Sequence, residues 1–81
     1  MESLHDRVKR VIGSALGVDP DYIQPEQYLA NELMADSLDE VQLWIDMEQE
    51  FNVSVDESAL NDIRTVQDWI CTIDTLTNGK V

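Results

Sequence analysis

Apolar residues recur at helical spacing in four stretches of this chain, separated by segments where that rhythm breaks. In the first stretch Leu4, Val8, Val11, Ile12 and Ala15 share one face, with Arg7, Lys9 and Arg10 outside it. Ser3, followed by Asp6, marks a helix start, and Leu16-Gly17 supplies a glycine stop, so a helix is predicted over residues 3–16. A second helix is predicted over 37–51, a short third over 56–63 and a fourth over 65–76. The fourth opens on Thr65-Val66-Gln67-Asp68 and turns Val66, Trp69, Ile70, Ile73 and Leu76 inward, leaving 77–81 as a frayed tail. Val53-Ser54-Val55 alternates as a strand does but has no partner strand, so an extended link with one valine buried is expected. Residues 18–35 hold Asp19-Pro20 and Gln24-Pro25, which oppose a continuous helix. Val18, Tyr22, Ile23, Tyr28 and Leu29 are too apolar for a disordered linker, and this long loop is expected to pack over the helices. The fold class is therefore all-α: one domain over 1–81, a four-helix bundle with a short third helix and a long first loop.

The second helix departs from a simple amphipathic pattern. Leu43, Trp44, Met47 and Phe51 form one apolar stripe and Leu38, Val41 and Ile45 a second. Together they span roughly 200° of the helix, twice the ~100° stripe that covers one core. Asp39, Gln42, Asp46 and Gln49 are left as the polar arc. With only three other helices available, two-sided burial is hard to arrange, and the second stripe is read as a partner face. Asp36, Asp39, Glu40 and Glu48 lie around it, making an apolar patch with an acidic rim.

Charge narrows the partners. Five Lys and Arg stand against 17 Asp and Glu, a formal net charge of −12. Nucleic acid and anionic membrane surfaces attract the opposite sign, so neither is expected as a partner; basic proteins are. A lone cysteine forms no internal disulfide, which suits a reducing compartment, and Cys71 beside Ile70 is expected as a small core or boundary residue. No apolar run approaches membrane-spanning length and no basic-then-apolar leader follows Met1, so a free-standing, monomeric cytoplasmic protein is expected.

Catalytic chemistry finds no apparatus. His5 is the only histidine and is placed on the surface of the first helix, far in sequence from Cys71, so neither a metal site nor a base for a serine nucleophile is expected. The three glycines are isolated and form no phosphate loop. What stands out is Ser37, a hydroxyl at the mouth of the second helix, where free N–H groups and the helix dipole favour phosphate. Ser37 with Glu40 fits a capping box, as Ser3 with Asp6 and Thr65 with Asp68 do. The acid before it, Asp36, and the second apolar stripe set it apart from those two.

The run Leu33-Met34-Ala35-Asp36-Ser37-Leu38-Asp39, the Leu43/Met47/Phe51 spacing and the later Thr65-Val66-Gln67-Asp68-Trp69-Ile70 resemble the acyl carrier protein family, from the first helix to the fourth. The resemblance implies that a phosphopantetheinyl transferase moves 4′-phosphopantetheine from coenzyme A onto Ser37, with Asp36, Leu38 and Asp39 around the attachment point. It implies that the arm carries acyl groups as thioesters to separate acyl-transferring or synthase enzymes with basic docking patches, in fatty acid, polyketide or related biosynthesis. Leu38, Glu40, Val41, Ile45 and Glu48 would form the docking face of a free-standing type II carrier that is not itself an enzyme. An aminoacyl or D-alanyl carrier shares the same arm, and an unmodified acidic adaptor is the alternative from another class. The chain departs from the family in three places: Met34 stands where glycine is usual, Gln42 where glutamate is, and Trp69 where a small residue often is. Met34 puts an apolar side chain near the arm, so transferase recognition is expected to be altered. Trp69 and Trp44 read first as ordinary core or surface packing; the sharper alternative is that they shrink the space open to an acyl chain, favouring short or polar cargo.

Overall fold

The computed structural model describes residues 3–78 and contains helices α1 (Leu4–Leu16), α2 (Ser37–Phe51), α3 (Glu57–Asp62) and α4 (Val66–Asn78). A 3₁₀ turn, Pro20–Tyr22, which the spacing did not predict, interrupts the first loop. Helix bounds agree with the expected ones to within two residues. Thr77 lies in the last turn of α4 rather than opening a tail, its hydroxyl donating to the Ile73 carbonyl at 2.8 Å. The expected tail beyond it, 79–81, lies outside the described residues.

Each terminus of α1 has the device its sequence announces. Ser3 Oγ accepts from the Asp6 N–H at 3.1 Å, and Gly17, at φ 71°, donates to the Gly13 carbonyl. Gly13 is there for a different reason. A Cβ on it would collide with the Val18 carbonyl oxygen and lie 3.2 Å from Pro20 Cγ. The missing side chain lets the loop fold back tightly over the helix.

Val8, Ile12, Ile23, Leu43, Met47, Val66, Trp69 and Ile73 are almost wholly removed from water and form the centre of the core. Burying each such side chain contributes about 1.5–3 kcal/mol, the main favourable term in a domain of this size. Outside the core, Arg7 and Arg10 of α1 both reach the Glu50 carboxylate of α2, at 3.1 and 2.9 Å. Arg7 also lies 4.5 Å over the Phe51 ring. Burial alone would raise the Glu50 pKa, but the hydrogen bonds and charges of the two arginines outweigh it and hold that carboxyl below its ordinary value.

The long loop packs as expected at Ile23 and Leu29, but Tyr22 and Tyr28 are exposed. The loop is held by its backbone. Gln67 N–H donates to the Pro25 carbonyl at 2.8 Å and Val66 N–H to that of Gln27 at 3.1 Å, while Leu29 N–H donates to Arg64 at 2.9 Å. Two free N–H groups of α4's first turn thereby find acceptors in the loop. Asp68 completes that turn, accepting from the N–H groups of Arg64 and Thr65, and these bonds lower its pKa.

Cys71 is exposed, not in the core or at its boundary, and accepts from the Gln67 side-chain amide at 3.2 Å. In the link after α2, Val55 is the buried valine. Both of its backbone groups are taken by α2 side chains one turn apart: Trp44 Nε1 donates to the Val55 carbonyl at 3.0 Å, and Glu48 accepts from the Val55 N–H at 2.8 Å.

Candidate functional site

The start of α2 is capped by Asp36, not by Ser37. Asp36 Oδ1 accepts from the Asp39 N–H at 2.9 Å and Asp39 Oδ2 accepts from the Asp36 N–H at 3.2 Å, a capping box displaced one residue from the expected one. A carboxylate offers a charged acceptor at the positive end of the helix dipole, which a hydroxyl does not match. The displacement places Ser37 at the first helical position, exposed, with its hydroxyl free of hydrogen bonds among the described residues. The N–H groups of Ser37 and Leu38 also lack acceptors there. A phosphodiester on Ser37 Oγ would sit next to these two donors and the dipole end, so the residues present fit a phosphate-linked group.

Rotation about the α2 axis shows what flanks this hydroxyl. With Ser37 set at zero and about 100° per residue, Leu43, Met47 and Phe51 fall at about −120°, −80° and −40°. These are the buried positions. Val41, Ile45 and Leu38 fall at about +40°, +80° and +100°, and all three are exposed, Leu38 by 79%, Val41 by 48% and Ile45 by 43%. Ser37 therefore stands on the seam between the core arc and an uncovered apolar arc. Asp36 and Glu40 are exposed beside it and Asp39 is half-buried. On the core side, Glu40 helps line a surface groove of about 420 Å³ with Leu29, Asn31, Leu60, Asn61 and Arg64.

One of the expected docking residues behaves differently. Glu48 is half-buried, and its carboxylate fastens the link at Val55 instead of standing free on the rim. Trp44 is its companion in that role. Gln42 donates its side-chain amide to Asp46 at 2.8 Å on the polar arc. Trp69, 1% exposed, fills the centre of the core.

The approach to the serine is held under strain. Ala35 is buried and its N–H donates to the Leu29 carbonyl at 2.8 Å, which fixes the chain just before the cap. The preceding residue, Met34, takes a left-handed conformation with φ 62°, at a cost of about 1–2 kcal/mol for a residue with a side chain. Its side chain is 78% exposed.

Comparison with known proteins places the whole fold in a family. The family model described as a phosphopantetheine attachment site matches residues 6–72. The acyl carrier protein of Thermotoga maritima is 42% identical over 73 residues, 90% of each chain. That of Bdellovibrio bacteriovorus is 41% identical over 66 residues, 82% of this chain and 85% of the relative. The solved structure of a candidate acyl carrier protein from Mycobacterium tuberculosis superimposes with a TM-score of 0.86 at 26% identity, over 90% of this chain and 97% of the other. These matches define a carrier domain with a covalent phosphopantetheine arm. Within that class, the chain belongs to the acyl carrier protein family.

Proposed function

We propose that Ser37 Oγ is the attachment point of 4′-phosphopantetheine and that a transferase of basic surface installs it from coenzyme A. The single observation that carries this reading is the exposed hydroxyl at the first turn of α2, released from capping by Asp36 and set beside two N–H groups without acceptors. Leu38, Val41 and Ile45, with Asp36, Asp39 and Glu40, form the face that the transferase and the acyl-transferring enzymes share. Glu48 is left out, because its carboxylate is committed to Val55. When bound, the arm supplies a thiol that holds acyl groups as thioesters. The chain's own residues position it and leave the bond-making to partners, so the protein is read as a monomeric cytoplasmic carrier and not an enzyme. Among the described residues no helix is long and apolar enough to cross a membrane. Short or polar acyl groups are the cargo best supported, because Trp69 occupies the middle of the core.

Purified protein mixed with coenzyme A and a broad-specificity phosphopantetheinyl transferase should gain the mass of one phosphopantetheine. The gain should vanish in Ser37→Ala. No gain in the unaltered protein, or a gain that persists in Ser37→Ala, would overturn the assignment.

A further inference from the structure

We propose that Met34 is a partner contact: with Leu38 it straddles Ser37 and seats in an apolar recess beside the active site of the basic enzyme that esterifies that hydroxyl. The inference rests on Ser37 being the attachment point. Among the described residues, Leu38 and Met34 are the two most exposed large hydrophobics, at 79% and 78%, and they stand on opposite sides of the serine in sequence. Exposure of one apolar side chain is ordinary. Here it coincides with a left-handed backbone, φ 62°, that glycine would adopt without strain.

The left-handed turn itself serves the fold, because Ala35 is tied to Leu29 and Asp36 must arrive as the cap. Among the described residues the methionine side chain has no part in the core, and it adds steric strain to the turn. What remains is the surface it presents outward. A thioether on three rotatable bonds adapts to an irregular apolar recess. The acids nearby, Asp36, Asp39 and Glu40, select a partner with a basic rim, and the net charge of −12 steers that partner in. An enzyme that brings its reacting atoms to Ser37 Oγ must cover Leu38, the next residue, and approaches over the turn in which Met34 stands, three residues before the serine.

The test is the steady-state loading reaction, with coenzyme A and a broad-specificity phosphopantetheinyl transferase, on Met34→Gly, Met34→Gln and Met34→Leu. Gly and Gln should raise KM for the carrier by about fivefold or more with kcat held, the loss typical of one good contact. Leu, which restores apolar bulk, should recover most of the affinity. Met34→Gly should at the same time raise Tm by relieving the turn, so a weaker substrate would be a more stable protein. A KM within about twofold of the unaltered protein for both Gly and Gln would overturn the proposal while loading itself goes on. Absence of loading in every form would instead sink the Ser37 assignment on which it rests. Self-association that depends on Met34, seen by sedimentation, would give the patch to a second copy and also overturn it.

Discussion

Alanine in place of Asp36 or Ser37 separates the two readings of the α2 start. If Ser37 capped the helix, Ser37→Ala would cost about 1 kcal/mol and Asp36→Ala little. The structure reverses this. Asp36 accepts the Asp39 N–H at 2.9 Å, so its removal orphans a donor in the first turn. The cap is exposed, which puts the loss near 1 kcal/mol, within the usual range of about 0.5–2 kcal/mol. In a domain of this length that lowers Tm by about 4–8 °C. Ser37 Oγ makes no such bond, and alanine is the better helix former, so Ser37→Ala should hold Tm within about 2 °C or raise it slightly. Asp36→Asn controls for charge, because it keeps a capping acceptor and gives up only the carboxylate's attraction to the helix dipole, about 0.3–1 kcal/mol. It should lower Tm by clearly less than Asp36→Ala does. The assay is thermal unfolding of the unmodified protein followed by far-ultraviolet circular dichroism. A larger drop for Ser37→Ala than for Asp36→Ala, or equal drops for Asp36→Asn and Asp36→Ala, would refute the argument.

Three further outcomes follow from the packing and the charges. Gly13→Ala should lower Tm, by about 1 kcal/mol or more in stability, because the clash with the Val18 carbonyl exceeds the gain in helix propensity; a rise in Tm would show that the loop yields. Glu50 has its pKa lowered in the folded state, so its contribution is complete above the unfolded value near pH 4.3 and is lost as pH falls through the folded one. The Tm difference between Glu50→Gln and the unaltered protein should therefore be largest near neutrality and close in acid, and a difference constant with pH would count against the Arg7–Glu50–Arg10 pairing. Millimolar Mg²⁺ should raise Tm by screening a surface of net charge −12, and an unchanged melting curve would argue against a repulsive surface.

The helices were legible because their apolar positions repeat cleanly and their capping residues are local. The cap of α2 was not, for a specific reason. Asp36…Asp39 and Ser37…Glu40 are overlapping versions of one pattern, offset by a single residue, and spacing alone does not choose between them. The carboxylate's charge at the dipole end does. The second stripe of α2 was legible as a surplus of apolar girth, and Leu38, Val41 and Ile45 do lie uncovered. Trp44 and Glu48 were not, because their contacts with Val55 arise only after Asn52 turns the chain back at φ 54°. Their partner is seven to eleven residues away, beyond the reach of helical periodicity. The same limit hid Gly13, whose neighbour across the loop is a backbone oxygen with no signature in composition.

The stitching of the long loop to the first turn of α4 ties the serine's platform to the far half of the chain. Pro25, Gln27 and Leu29 are bound to Arg64, Val66 and Gln67, and Leu29 in turn holds Ala35 two residues short of Ser37. An isolated peptide of α2, however well capped, forfeits that brace and presents its hydroxyl on an unanchored stem. A chain that has not completed this fold, or has been cut between the two halves, lacks the brace that fixes the approach to Ser37.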